Sequence, residues 1–499
     1  MIGRRAITQT ALRLDLRPLA AGLGLACVLA LALINLESYP ATWFDEGQYL
    51  HVPKALLQHG VYADWSSDGP RYFGPTTATG PTVLLPIAAM FQIAGIGLTQ
   101  ARLVMAAYLL VCLALCYLVA RRIHTPTIAL LATALLLSSR GAWTLNWGRQ
   151  VLGEIPTLTF LLAGLWFWHG ALTRRCGRRA VAAGICWGLC LITKNQAIVA
   201  FAPALALGSL LAWRYYRNGR WSLWLLPPII AATMALGWLL ILFTQLGPGN
   251  LATNLALTRQ ATGGAILVLR PDATLRALRL LVAPAMYGGL LLPALIYGWW
   301  RVRGRRDVAA QAESFTLLIV AIWLLWFVCS LGWPRYAYVG AALGALPVAR
   351  LIADGWTRAR RRSATYAAAV ALVAGLIIGV PLLRTTHEIL TPDRSVLRFA
   401  AYLTHNLPND SLIATWEPEL GGLTDHRFQY PPQALLDVAV RHQWSGGPPA
   451  RVDLEADPVP YVVVGPFGAW TGVYPTAQLE RSYELIHSDG AYALYRRRP

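Results

Sequence analysis

The strongest constraint on this chain is a series of apolar runs, each about 17–25 residues long, separated by short clusters of arginine. That is the length of a helix that crosses the hydrocarbon core of a bilayer. Spans of this kind must be helical, because each segment then satisfies its own backbone hydrogen bonds. Composition agrees: the 499 residues are 56% hydrophobic and 13% charged, with a mean hydropathy of +0.46. The formal charge of +19 raises the question of nucleic acid. The bases, however, sit in clusters between apolar runs rather than along a stripe, which is the pattern of cytoplasmic loops in a membrane protein. No nucleic-acid partner is expected.

The clusters set a topology. Arg4, Arg5, Arg13 and Arg17 place the N-terminus inside, and the run 18–36 leads out to a long outer loop, 37–101. Within that loop the amphipathic piece 46–59 suits the membrane interface. The segment 81–97 is read as an interfacial or re-entrant helix, because counting it as a span puts the next arginines on the wrong side. Spans then follow at 102–120, 127–144, 155–172, 180–193, 197–213, 221–243, 277–300, 314–332, 337–353 and 364–383, with an outer loop at 244–275. With the first run this makes eleven spans, N-terminus in and C-terminus out. The expected fold class is a polytopic α-helical membrane protein, residues 1–384, carrying a small extracytoplasmic α/β domain, residues 385–499. That tail holds 13 of the 24 acidic residues and short strand-like runs at Ser411–Trp416, Tyr461–Val464 and Ala491–Tyr495.

Seven cysteines lie in apolar segments or, for Cys176, in an arginine-rich loop. They show neither a disulfide framework nor paired metal-ligand spacing. Cys112/Cys116 and Cys186/Cys190 are i,i+4 pairs that read as packing residues.

Chemistry concentrates at the outer ends. Asp45 and Glu46 adjoin the first span, and Glu154 is the one carboxylate between Asp68 and Asp272. An acid at that depth is costly unless paired or wet, which marks it as a functional candidate. Of 43 basic residues two are lysine, Lys54 and Lys194, and both fall outside by this topology, as do Arg259, Arg270 and Arg335. Acids and isolated cations on one face suit a phosphate-bearing substrate, with cations neutralising phosphate and a carboxylate taking a proton. Simpler roles exist for each: Thr42-x-x-Asp45 resembles a helix cap, Glu154 precedes Pro156 at a helix start, and Lys194 can snorkel to the interface.

Here the residues meet a family. Asp45-Glu46-x-x-Tyr49 opening a long outer loop after the first span resembles the GT-C membrane glycosyltransferases, especially glycosyltransferase family 39, the protein O-mannosyltransferase and aminoarabinose transferase branch. Gly95 to Arg102, Arg149 to Pro156, Leu191-Ile192-Thr193-Lys194 and Arg335-Tyr336 match further family features, in order, over roughly residues 18–350. Thr79-Gly80-Pro81 stands where the family usually has His-Pro-Pro or Lys-Pro-Pro, and the second acidic site is Glu154 rather than the commoner Asp.

The resemblance implies transfer of a sugar from a polyprenyl-phosphate carrier to a hydroxyl-bearing acceptor on the outer face, with inversion, in a bacterial inner membrane. It implies Asp45 as general base, with Glu46 and Glu154 orienting the acceptor or stabilising charge on the sugar. Lys194, Arg149 and Arg335 become candidates for the phosphate, and Tyr49 and Lys54 join them as substrate-binding candidates. No nucleotide is implied, and a divalent metal held by the acids is compatible without being required. A transporter or flippase for lipid-linked sugars would instead show ionisable residues near mid-span. A non-catalytic membrane scaffold would tolerate loss of Asp45 and Glu154. The topology predicts that a cysteine at position 89 is labelled from the outer side by a membrane-impermeant thiol reagent; labelling from the cytoplasm alone would overturn the reading of 81–97.

Overall fold

Charged and polar residues bound the helices, so the elements follow the apolar runs. The computed structural model describes residues 17–72, 78–218, 220–261 and 267–499; the N-terminal arginines Arg4, Arg5 and Arg13 and the side chain of Arg259 lie outside the described part. From the N-terminal side come α1 (Arg17–Leu33), α2 (Phe44–His59), α3 (Pro81–Ala94), α4 (Leu98–Ile123), α5 (Pro126–Ser138) and α6 (Glu154–Arg174). Then follow α7 (Gly177–Thr193), α8 (Asn195–Leu211), α9 (Ser222–Ala261), α10 (Pro271–Val282), α11 (Leu291–Val302) and α12 (Val308–Val328). Helices α13 (Tyr338–Leu343), α14 (Ala345–Arg362) and α15 (Ala364–Leu390) complete the helical unit.

Arginines close α4, α6 and α14 in their last turns, where cations complement the helix dipole. Asp307 caps α12 by accepting from the Ala310 N–H at 2.9 Å, and Ser363 caps α15 through the Thr365 N–H at 3.0 Å. The basic ends gather together: Arg301 and Arg350 both bind Asp354, at 2.8 and 2.9 Å, and Asn218 donates to the Arg306 carbonyl at 2.8 Å. Because Arg121 and Arg122 end α4 and Arg174 ends α6, the residues that start these helices, Arg102 nearby and Glu154, lie at the opposite end of the bundle.

Among the described residues six helices are long and apolar enough to cross a membrane alone, and the bent pair around Gly344, turned by 48°, makes a seventh. Other expected spans are shorter apolar helices, such as Gly22–Leu33 and Pro126–Ser138. The structure departs from the expected span 277–300, which is broken into α10 and α11; a turn with left-handed Gly288 and Gly289 (φ 68° and 77°) separates them. The expected loop 244–275 is helical over much of its length. Gly247 (φ 75°, ψ 160°) leaves the helical conformation, so α9 is two helical stretches joined across a kink, the second running on to Ala261. Helix α3, with 14 residues, rises about 21 Å, short of the roughly 30 Å hydrocarbon core. Its Val83, Leu84, Ile87 and Phe91 are buried in a cluster shared with α2 and α4.

In the segment after α2, β1 (Asp64–Ser66) and β2 (Gly69–Arg71) form a small antiparallel hairpin. The tail begins with α16 (Ser395–Asn406) and builds a five-stranded sheet from β3 (Leu412–Thr415), β4 (Arg427–Gln429), β5 (Tyr461–Val464), β6 (Tyr483–Asp489) and β7 (Tyr492–Arg497). The order is β4-β3-β5-β7-β6: β3 runs parallel to β4 and β5, while β7 is antiparallel to β5 and β6. The three expected strand-like runs coincide with β3, β5 and β7. Helices α17 (Pro418–Leu423), α18 (Gln433–Ser445), α19 (Pro466–Thr471) and α20 (Thr476–Ser482) connect the strands.

The tail is locked onto α2. Gly47 lets the two backbones meet: a Cβ there would stand 2.1 Å from the Glu419 nitrogen, at the start of α17. His51 bridges the units, with Nδ1 2.6 Å from Asp64 and Nε2 2.7 Å from the Pro418 carbonyl. Replacing Gly47 with alanine is expected to cost about 1–3 kcal/mol or more, because backbone cannot yield as a side-chain tip can. Thermal unfolding in detergent and limited proteolysis between residues 385 and 395 would show a lower midpoint and faster cleavage.

Candidate functional site

Helix α2 starts without a side-chain cap: Trp43 is the N-cap and makes no capping bond, so the Thr42-x-x-Asp45 cap is not formed. That leaves Asp45 and Glu46, both in the first turn, free for longer-range partners, and adjacent positions on a helix point different ways. Glu46, fully buried, takes a bidentate bond from Arg102: Nε to Oε1 at 2.8 Å and Nη2 to Oε2 at 2.5 Å. The Val151 N–H adds a third bond at 3.0 Å. Arg102 also donates to the Leu36 and Glu37 carbonyls and to the Thr42 hydroxyl. Both Glu46 oxygens and every Arg102 guanidinium nitrogen are used, so Glu46 is placed as the anchor of α2 and not at an open surface.

Asp45 pairs instead with the Arg335 guanidinium, across 290 positions of chain. Arg335 lies on the short 3-10 turn Pro334–Ala337 and stands over the rings of Trp43, Trp333 and Tyr336 at 5.3–6.0 Å. The two side chains keep 14% and 15% exposure, so the pair is reachable.

Glu154 begins α6, 1% exposed, and one of its oxygens pairs with the Lys194 ammonium; the other has no hydrogen-bond partner among the described residues. Lys194 sits in the extended junction of α7 and α8 (φ −150°, ψ 132°), where neither helix uses its side chain. A two-residue antiparallel bridge to Thr79 fixes that junction, the Gly80 N–H donating to the Thr193 carbonyl at 2.8 Å. Only glycine fits at position 80, since a Cβ would stand 1.6 Å from the Ile192 oxygen. Thr79-Gly80-Pro81 therefore acts through its backbone, as the strap that aims Lys194.

Two tyrosines, Tyr49 and Tyr336, lie in the electrostatic surroundings of these pairs. Both are buried, both lie within electrostatic range of Glu154, and Tyr336 is also in range of Arg335. Burial, with Glu154 and Tyr336 adding to it, pushes the Tyr49 phenol up from its ordinary value, so it remains a neutral hydroxyl.

Two sequence candidates are committed elsewhere. Arg149 is fully buried and donates to the Leu31, Ile34 and Tyr39 carbonyls, satisfying acceptors that the end of α1 leaves open. Lys54 binds the Gly421 and Thr424 carbonyls at 2.9 and 2.8 Å and pairs with Asp425 at 2.8 Å, tying α2 to the tail. Neither joins Asp45 or Glu154, because each is spent on backbone carbonyls that would otherwise lack donors. Sequence reasoning gave no role to Arg102, although an arginine at the start of an apolar span is itself a signal of a buried partner. It also gave none to Glu417 and Glu419 of the tail. Among the described residues no three His, Cys, Asp or Glu side chains converge to hold a metal ion.

A family model described as dolichyl-phosphate-mannose-protein mannosyltransferase matches residues 78–246. That stretch contains Thr79, Glu154 and Lys194, whereas Asp45 and Arg335 lie beyond it. A search of curated protein sequences finds no significant match. Among solved structures the chain is similar to ArnT from Cupriavidus metallidurans bound to undecaprenyl phosphate, with TM-score 0.64 and 16% identity over 95% of this chain and 97% of that one. It is also similar to the oligosaccharyltransferase AglB from Archaeoglobus fulgidus in complex with an inhibitory peptide and a dolichol-phosphate, with TM-score 0.56 and 14% identity over 96% of this chain and 75% of that one. The chain has the GT-C membrane glycosyltransferase fold.

The anchor can be tested apart from any activity. Glu46→Ala leaves a buried guanidinium unpaired and is expected to cost about 3–5 kcal/mol, as is Arg102→Ala. The double variant Glu46→Leu/Arg102→Met removes both charges and is expected to unfold at a higher temperature than either single variant. Equal midpoints for the Glu46→Ala protein and the wild type would refute the anchoring role.

Proposed function

We propose that this integral membrane protein is a polyprenyl-phosphate-sugar-dependent glycosyltransferase, moving a sugar to a hydroxyl-bearing acceptor at the extracytoplasmic face, with inversion. The observation that carries the reading is the pair of acid–cation couples, Asp45–Arg335 and Glu154–Lys194, drawn from four separate parts of a GT-C fold. The family-model match and the lipid phosphates held by the similar ArnT and AglB structures support the same donor class.

In the resting protein each acid is neutralised by its cation. A donor phosphate competes for those cations, since guanidinium and ammonium groups bind phosphate through charge-assisted hydrogen bonds. As Arg335 turns to the phosphate, Asp45 is released to act as base. It takes the proton of the acceptor hydroxyl, and the oxygen attacks the anomeric carbon on the face opposite the phosphate. The carbon–oxygen bond to phosphate breaks, and the electron pair leaves with the polyprenyl phosphate, whose charge Arg335 and Lys194 balance. Attack from the opposite face inverts the anomeric centre. Glu154, with one oxygen unpartnered, is suited to hold a sugar hydroxyl or to stabilise positive charge on the ring.

Asp45→Asn and Glu154→Gln preserve shape and remove charge. Each is expected to slow release of polyprenyl phosphate from a lipid-linked sugar by about 10²–10⁴-fold, the usual worth of a positioned acid or base. Undiminished release by both purified variants would sink the catalytic assignment.

A further inference from the structure

The pattern Gly-Trp-x-Arg-x-Arg-x-Arg occurs twice in the chain, at 298–305 and at 355–362. The first copy closes α11 and turns at Gly304 (φ 81°), and the second forms the last turns of α14. Packing brings the copies side by side. One oxygen of Asp354 accepts from Tyr297 at 2.7 Å, from Arg301 at 2.8 Å and from Arg350 at 2.9 Å. Arg358 of the second copy donates to the Tyr297 hydroxyl at 3.0 Å and stands 5.4 Å over its ring. His124, one position past α4, is in electrostatic range of Arg301 and Arg350, so the copies sit at the end of the bundle away from Glu154.

Folding leaves two features of these ends unused. The first is charge. Asp354 is taken by Arg301 and Arg350, and Arg305 takes Asp307 at 3.0 Å and Glu313 at 3.7 Å. Among the described residues Arg303, Arg306, Arg358, Arg360, Arg361 and Arg362 have no carboxylate partner. The second is apolar surface. Trp300 is 66% exposed, and Ile296, one turn before it on the same face, is 73% exposed. Trp299 and Trp356 are exposed as well. Tryptophan gathers at the level where hydrocarbon gives way to lipid headgroups. Arginines just beyond that level meet lipid phosphate, which the guanidinium fork binds through two parallel hydrogen bonds. An arginine that only sets the orientation of a span needs no tryptophan, no repeated spacing and no second cluster packed against it.

We propose that the two adjoining helix ends bind the phosphate headgroup of an anionic phospholipid, whose acyl chains lie along Ile296 and Trp300. The phosphate neutralises guanidinium groups that the protein leaves without acids. A zwitterionic headgroup brings an ammonium with its phosphate and so supplies no net charge. Asp354 holds the two ends together, so the cations are presented as a set and less freedom is lost when the lipid binds. The site stands apart from the proposed sugar transfer, and its test needs neither donor nor acceptor.

The test is retention of tritiated lipid by the full-length protein, immobilised in an uncharged maltoside detergent. Phosphatidylglycerol is expected to bind about tenfold more tightly than phosphatidylcholine with the same acyl chains. Arg303→Gln/Arg358→Gln is expected to weaken phosphatidylglycerol by about tenfold to thirtyfold, since an arginine at a membrane surface counts for roughly a factor of five. Arg174→Gln/Arg178→Gln removes the same charge from the end of α6 and the start of α7, and is expected to leave the affinity unchanged. All four side chains are exposed, so both double variants are expected to keep the wild-type unfolding midpoint. Equal retention of the two lipids by the wild type overturns the site, as does equal binding by the wild type and Arg303→Gln/Arg358→Gln. Equal weakening by the two double variants would show a diffuse charge effect and overturn it too. Inorganic phosphate at the lipid concentration is expected to leave the bound lipid in place; displacement would assign the arginines to free phosphate and overturn the lipid assignment.

Discussion

The arrangement depends first on the buried ion pair of Glu46 and Arg102. Removing two charges from water is expensive, and the geometry compensates with bidentate contact and with four further partners: the Val151 N–H, two carbonyls and the Thr42 hydroxyl. Such a set has one low-energy arrangement, so it fixes both the axial position and the rotation of α2 against α4 and against the loop before α6. Asp45 is the next residue, and its direction follows from that rotation. The same set ties the loop before Glu154 to α2, so one anchor positions both acids.

A second consequence concerns the cations. Arg149, Arg102 and Lys54 saturate carbonyls or a buried carboxylate, and Arg335 and Lys194 hold single ion pairs with acids. A phosphate can draw away a cation held by one exchangeable pair far more readily than one holding three backbone carbonyls, because the latter would leave several buried acceptors unsatisfied. This divides residues of one type into structural and exchangeable groups, and sequence alone gives no basis for the division.

That contrast also explains what was legible in the sequence. Apolar runs report membrane spans because the hydrocarbon thickness sets their length, and the strand-like runs at 411–416 and 461–464 stood out by composition and flanking turns. Breaks within spans were less legible: a turn that holds Gly288-Gly289 separates α10 from α11, and Gly247-Pro248 divides α9 into two helical stretches across a kink. The acids and lysines of the site were visible through their rarity. Their partners were not, since Glu46 meets Arg102 across 56 positions and Asp45 meets Arg335 across 290. No local pattern encodes a contact at that separation. Family resemblance marked Arg335 and Lys194 as important, but it could not say which acid each one would hold.

The tail shows how one surface can carry both structure and specificity. His51, Lys54 and Gly47 join α2 to the tail on one side of the helix, through contacts that leave few polar groups open. At the start of the same helix, Trp43 and Phe44 meet the tail across a cavity, with Phe44 stacked on Phe467 at 3.8 Å. The join is tight where α2 must be held and open beside Asp45, where a substrate needs room. A tail that served only to brace the helix would gain nothing from that gap. Its position next to the proposed base gives the gap a physical use, because a molecule held there has its reacting hydroxyl oriented before the base acts.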